Sequence, residues 1–229
     1  MCTILAIETS SELASVALLH NGRTFAHEAA GVQTHSQTVL PLVQALLTQA
    51  GITLAQCDAL AFGAGPGSFT GVRTACGVVQ GLAFGVGLPV VPVVTLQAAA
   101  QACRELSGAS DVLVVLDARM EEVYWAQYRY SDGWQTVLEP ALSAPSGVLP
   151  QGPVTACGNG LSAYPSIFEG APFSQGSHPA AMPHAIQVAQ LAQSEFAAGR
   201  ALHAREAQPI YLRNKVAYTT AERMARAAA

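Results

Sequence analysis

Residues 63–73, Gly63-Ala64-Gly65-Pro66-Gly67-Ser68-Phe69-Thr70-Gly71-Val72-Arg73, make a turn crowded with glycine that opens a segment of helical length, and the segment carries glycine again at 77, 81 and 85. A glycine inside a helix costs roughly 1 kcal/mol relative to alanine, so three of them need a reason. At every fourth position they drift only about 40° per step and form one bare stripe. A second backbone can approach such a stripe more closely than side chains would allow. Val78, Val79, Leu82, Ala83, Phe84 and Val86 fill the other sides, and a helix that is apolar nearly all round is buried or docked. The stripe reads as a docking surface; burial within its own domain is the alternative.

A helix from Ser36 to Ala50 presents Val39, Leu40, Leu42, Val43, Leu46 and Leu47, more apolar width than one core-facing stripe requires. Ser36 is the expected N-cap, and Pro41 should kink the helix at its first turn. Paired side by side, this helix and the glycine-striped one would offer the kind of surface that obligate interfaces use, unless the sheet covers both.

A chain of 229 residues suits one large domain or two small ones. Hydrophobic residues make up 51% and charged residues 11%, which supplies ample core. The net charge of −4 gives the whole molecule no general affinity for nucleic acid. Charge is unevenly spread, however. Arg200, Arg205, Arg213, Lys215, Arg223 and Arg226 face only Glu206 and Glu222 over the last thirty positions. That stretch reads as a solvated end, or as a contact for an acidic partner or an RNA backbone. Cys2, Cys57, Cys76, Cys103 and Cys157 are odd in number and lack a CxxC pair, which points to buried thiols in a reducing compartment. The first strand-like run, Thr3 to Ile7, has no signal sequence before it, and the longest apolar runs stop well short of the roughly 18 residues a membrane span needs. A cytoplasmic protein without membrane contact is expected.

Two halves can be laid over each other. Ile4 to Ser10 is a buried-strand pattern ending in an acid and a polar turn; Ala14 to His20 follows as a second strand, and Asn21-Gly22 signals a hairpin into Thr24 to Ala29. Likewise Val112 to Asp117 ends in an acid, Ala118-Arg119-Met120 turns, Glu122 to Tyr130 alternates as a strand, and Ser131-Asp132-Gly133 leads into Trp134 to Leu138. The first half continues with strands at 59–62 and 89–94 and a helix at 96–106. The second continues with a strand at 154–157, a loop from Tyr164 to Pro179 and a helix near 183–198. Tandem βββαβα-type units predict an α/β chain divided into residues 1–107 and 108–229, with the final segment free to pack back on the first half.

Acids ending the first strand of duplicated units resemble the actin, hexokinase and Hsp70 superfamily, where the two acids organise a metal-bound nucleotide beside backbone amides. Here they are Glu8, followed by Thr9 and Ser10, and Asp117, with Gly158-Asn159-Gly160 as a border for an adenine. This makes Glu8, Thr9, Ser10, Asp117, Gly158, Asn159 and Gly160 a candidate vestigial nucleotide site. Each acid also reads as a strand-terminal carboxylate facing solvent or a nearby amide, and the 158–160 triplet as a plain turn. The 63–71 loop is no P-loop, since GxxxxGK is absent and Lys215 is the only lysine. An anion could rest on its amides, or its glycines serve a tight turn through positive φ angles. Neither HxxxH nor HExxH nor GxSxG occurs, so no catalytic residue and no metal ligand is assigned.

Ile4-Leu5-Ala6-Ile7-Glu8-Thr9-Ser10, His35-Ser36, Leu40-Pro41-Leu42, Gly65-Pro66-Gly67-Ser68-Phe69-Thr70-Gly71-Val72-Arg73, Asp117-Ala118-Arg119-Met120 with Glu122-Val123-Tyr124, and Pro209-Ile210-Tyr211-Leu212-Arg213-Asn214 together resemble the TsaB (YeaZ) family over nearly the whole chain. The resemblance implies an actin-like, Hsp70-like (ASKHA, RNase H-like) fold. It also implies a non-catalytic role in making N6-threonylcarbamoyladenosine beside the anticodon of tRNAs that read ANN codons. The implied partners are the catalytic, metal-carrying paralogue TsaD and the ATPase TsaE, with a homodimer forming when TsaD is absent. By the same resemblance Leu42, Val43, Leu46, Arg73, Gly77, Val78, Gly81 and Gly85 belong to the TsaD interface, tRNA is met only through the complex, and ATP or ADP would sit, if anywhere, at the subunit junction. Glu8 departs from the family, which usually has aspartate there. Two other classes compete: an independent actin-like ATPase or small-molecule kinase, and a simple homodimeric binding module.

Overall fold

A computed structural model describes residues 2–30 and 35–213. The first sheet holds β1 (Ile4–Glu8), β2 (Ala14–His20), β3 (Arg23–Ala29), β4 (Ala59–Gly65) and β5 (Val90–Val94) in the order β3-β2-β1-β4-β5. Strands β1 to β3 run antiparallel, and Asn21 and Gly22 take φ values of 50° and 73° between β2 and β3. This is the two-residue turn whose twist matches the strands it joins. β4 and β5 add in parallel, which requires the crossovers that α1 (His35–Ala50) and α2 (Phe69–Val86) supply. α1 therefore begins one residue before the expected N-cap Ser36, and Pro41 falls in its second turn.

After α3 (Thr95–Ser107) the second sheet repeats the plan. β6 (Asp111–Asp117), β7 (Val123–Tyr130) and β8 (Trp134–Ser143) are antiparallel, and β9 (Thr155–Cys157) joins β6 in parallel, giving β8-β7-β6-β9. The repetition is incomplete. Only a 3₁₀ turn at Pro145–Gly147 stands where α1 stands in the first half. The stretch expected to be loop after Tyr164 contains a short helix, α5 (Pro165–Phe168), just beyond α4 (Gly160–Ala163).

Alternation along the strands divides the core by residue size. Leu5, Ile7, Leu60, Phe62 and Ala64 point to one face of the first sheet, where Val39, Val43, Leu46, Ala75, Val79 and Ala83 of α1 and α2 cover them. Ile4, Ala6, Ala17, Ala59 and Ala61 point to the other face. There α6 (Ala185–Ala197) brings Ala185, Val188, Ala189 and Ala192 against them. Small residues on both partners let the helix lie close to the strands, so α6 completes the first sheet. α3 lies between the sheets, contacting β4 and β5 on one side and β6 and β7 on the other.

A strap closes the described chain. Ala207 O accepts from the Cys76 thiol at 3.7 Å and from Gln80 Nε2 at 2.8 Å, and Ile210 N donates to Ala64 O at 2.7 Å. Arg73 Nε donates to the Tyr211 hydroxyl at 2.6 Å while its guanidinium lies 3.7 Å from the Phe69 ring centre. Arg213 then reaches the second half, donating to Ala118 O, Arg119 O and the Glu122 carboxylate. Asn214 of the C-terminal motif, and Lys215, Glu222, Arg223 and Arg226 of the basic stretch, lie outside the described residues.

Candidate functional site

Ser68 caps α2, accepting from Gly71 N at 3.4 Å, and Gly87 ends it in the left-handed region at φ 71°. Between them the stripe faces outward. Gly77, Gly81 and Gly85 are exposed, and a Cβ built on any of them meets nothing within 4 Å. Nothing in the described chain uses the space those glycines leave. Phe84, 76% exposed, stands beside them, Val86 follows two positions on, and Leu40 is exposed on α1. Sequence reasoning left all three out of the interface set. The signal for Phe84 was present: it follows Gly77 by seven residues, which returns a helix to nearly the same face.

Two residues of the expected interface do not lie on a surface. Val43 and Leu46 are buried in the core formed with β1, β4 and α2, because α1 turns them, with Val39, toward the sheet. Leu42 and Val78 are half-buried against that core, whereas Arg73 is exposed and held by Phe69 and Tyr211. The apolar width of α1 thus splits into an inward face and a narrower outer one.

The loop glycines correct a second expectation. Only Gly65 takes a positive φ, 103°. At Gly63, Gly67 and Gly71 a Cβ would run into the Glu8 carboxylate, Ser10 and the Thr9 carbonyl respectively. Their task is close approach: the end of β1 passes against the start of α2, and the Thr9 hydroxyl donates to Gly71 O at 2.7 Å.

The seven residues of the candidate nucleotide site separate. A cleft of about 490 Å³ between the halves is lined by Ser10, Asp117 and Asn159, together with Phe69, Arg119, Met120 and Arg213. Glu8, Thr9, Gly158 and Gly160 are not on its wall. Glu8 is wholly buried; its Oε1 accepts from Ser10 N at 2.5 Å and its Oε2 has no partner. Burial pushes the Glu8 carboxyl above its ordinary range despite the bonds from Ser10 that act the other way. An acid enclosed behind the cleft wall cannot organise a cation in the cleft.

Asp117 is tied down differently. Its carboxylate accepts from Arg119 N at 2.9 Å and from the Tyr164 hydroxyl at 3.0 Å, and it pairs with the Arg119 guanidinium at 3.2 Å. Its amide donates to Asn159 Oδ1 at 2.9 Å. Gly158, at φ 100°, and Gly160 both pass against the Val115 carbonyl, so this triplet is packing for the end of β6. Arg119 also pairs with Glu12 across the cleft at 3.0 Å. Arg119, Met120 and Glu121 are consecutively left-handed, at φ 61°, 58° and 60°, a conformation that costs non-glycine residues about 1–2 kcal/mol each. Among the described residues no group of three His, Cys, Asp or Glu side chains is placed to hold a metal ion. No described helix is long and apolar enough to cross a membrane.

Comparison with known proteins places this geometry. Residues 19–227 match the model of the family described as TsaD, tRNA N6-adenosine threonylcarbamoyltransferase. The tRNA threonylcarbamoyladenosine biosynthesis protein TsaB of Haemophilus influenzae is 40% identical, over 94% of this chain and 95% of its own length. The Escherichia coli protein of the same name is 39% identical over 94% and 96%. This chain belongs to the TsaB family. The solved YeaZ structure from Pseudomonas aeruginosa is 40% identical and superposes with a TM-score of 0.85, covering 93% of this chain and all of that one. The fold is accordingly the actin-like, RNase H-like α/β fold, and the two sheets are its tandem units. Within that TsaB fold, the outer face of α2 is bare and the inter-half cleft is crossed by side chains of the chain itself.

Proposed function

We propose that this chain is the accessory, non-catalytic subunit of the machinery that makes N6-threonylcarbamoyladenosine next to the anticodon of ANN-reading tRNAs. In this reading it docks on, and activates, a TsaD-type catalytic subunit. The carrying observation is the solvent-facing glycine stripe, which weakens α2 as a helix and serves no contact among the described residues. The names of the H. influenzae and E. coli relatives support the pathway. We assign the docking face to Arg73, Gly77, Val78, Gly81 and Gly85 of α2 with Leu42 of α1, extended by Leu40 and Phe84; Val43 and Leu46 support it from beneath. TsaE joins the pair, tRNA is met through the complex, and the same face closes a homodimer when the partner is absent. Residues 1–107 and 108–229 are the working division of the chain, with α6 returning to the first part.

Substituting Gly81 with leucine tests this. The monomer should stay folded by circular dichroism, and calorimetric binding to the TsaD-type subunit should disappear together with tRNA modification in a reconstituted mixture. Undiminished binding would overturn the docking assignment. An independent ATPase is disfavoured by the enclosed Glu8 and by the Arg119 pairing of Asp117. ATP turnover by the purified chain that is lost in Asp117→Ala would revive it. ADP or ATP, if it takes part, belongs at the subunit junction.

A further inference from the structure

A second groove, of about 650 Å³, lies at the β3 edge of the first sheet between β3, α3 and α6. This volume falls within the usual range of small-ligand pockets. Leu13, Leu106 and Ile186 give it an apolar lining, and its polar wall carries Glu28 from β3, Glu105 from α3 and Gln187 from α6. Among the described residues, no lysine or arginine lines it. The nearest cations in sequence are engaged elsewhere: Arg104 donates to the Ala109 carbonyl and stacks on Tyr130, and Arg23 lies over Phe25.

The polar wall is fixed by its own bonds. Glu105 accepts from Gln101 Nε2 at 2.9 Å and from Gln187 Nε2 at 2.6 Å. The second bond sets the Gln187 amide, since turning it over would aim its oxygen at a carboxylate. Gln187 is 8% exposed, and its Oε1 is an acceptor with no donor, a state that costs about 1–3 kcal/mol. On the opposite side, His184 Nδ1 accepts from Ile186 N at 3.2 Å, so the ring proton sits on Nε2 and is donated to Glu28 at 3.2 Å. Burial holds His184 below the ordinary histidine range, so the ring does not cancel the charge of Glu28.

Two carboxylates, one orphaned acceptor and an apolar floor complement an elongated molecule with a positive donor at each end and methylenes between. We propose that this groove binds a small aliphatic polyamine, whose ammonium groups pair with Glu28 and Glu105, the second drawing the enclosed Gln187 Oε1 toward it.

Titration of the full chain with spermidine tests the assignment, read by calorimetry and by the NMR resonances of the Gln187 side-chain amide. One-to-one saturable binding is expected, with a saturable shift of the Gln187 resonances. Glu28→Gln and Glu105→Gln should each weaken it about tenfold or more, and an uncharged diol of the same length should not compete. Glu28 has a side chain 62% exposed at a sheet edge, so its variant keeps the fold even if Glu105→Gln loosens α3 against α6. The proposal is overturned by the absence of saturable binding at millimolar spermidine or by equal competition from the diol. It is also overturned by binding that ignores Glu28→Gln and shifts resonances across the acidic surface while leaving Gln187 unmoved.

Discussion

The Glu8 carboxyl occupies the space that a side chain at Gly63 would need: a Cβ built there would overlap Glu8 Oε2. Two adjacent parallel strands, β1 and β4, therefore share one side-chain volume between an acid and a glycine. Because both sites are fully buried, the acid has nowhere else to go.

Gly63→Ala should thus lower stability by about 1–3 kcal/mol, the usual cost of overfilling a packed interior, seen as a lower midpoint in urea with an unchanged slope. Glu8→Asp combined with Gly63→Ala should recover part of the loss, because the shorter acid withdraws from the added methyl.

Glu8 also sets a pH dependence. Its carboxyl titrates above the ordinary value of 4.5 in the folded chain, so the folded state holds the proton more tightly than the unfolded one. Its contribution is fully present below pH 4.5 and is lost as pH rises from there through the folded-state value. The Glu8→Gln variant lacks this titration. Denaturation of both proteins across that range should show the difference in stability moving steadily in favour of glutamine as pH increases; parallel curves would exclude it.

The stripe predicts opposite effects on folding and docking. Gly77→Ala and Gly81→Ala meet no atom within 4 Å, so each should stabilise the isolated chain by about 1 kcal/mol through helix propensity. The same substitutions should weaken the complex with the catalytic subunit, because a methyl group holds the facing backbone away. Thermal melts of the free chain and calorimetry of the complex check the two signs separately.

Arg213 holds the left-handed run at 119–121 through the Ala118 and Arg119 carbonyls and Glu122. With its side chain 12% exposed, Arg213→Ala should cost about 2–3 kcal/mol and raise hydrogen exchange at residues 118–122 more than in β6 itself. Arg213→Lys, which cannot span three acceptors with a planar fork, should recover little of it.

Much of the architecture was legible because it rests on local chemistry. Asn21-Gly22 marks its hairpin, apolar runs ending at Glu8 and Asp117 mark the two leading strands, and the glycine spacing marks a face that the described residues leave bare. What escaped depended on distant partners. Whether Glu8 faces water or interior is decided by Gly63, fifty-five positions away. Which side of α1 is core is decided by the sheet, so Val43 and Leu46 could not be told from Leu42 by spacing alone. The Arg73–Tyr211 bond joins residues 138 positions apart, and α6 covers strands as distant in sequence as β1, which begins at Ile4. The loop glycines illustrate the same limit: their density was plain, but their purpose lay in Glu8, Thr9 and Ser10.

That late helix has a consequence for synthesis on the ribosome. The first five strands emerge with the alanine-rich side of their sheet uncovered, and the segment that shields it is finished only at Ala197. At ordinary translation speeds of about 5–20 residues per second, a half-made molecule spends several seconds with a greasy plane open to its neighbours. The nascent protein is therefore most in need of chaperoning in that interval, which closes only once α6 has emerged.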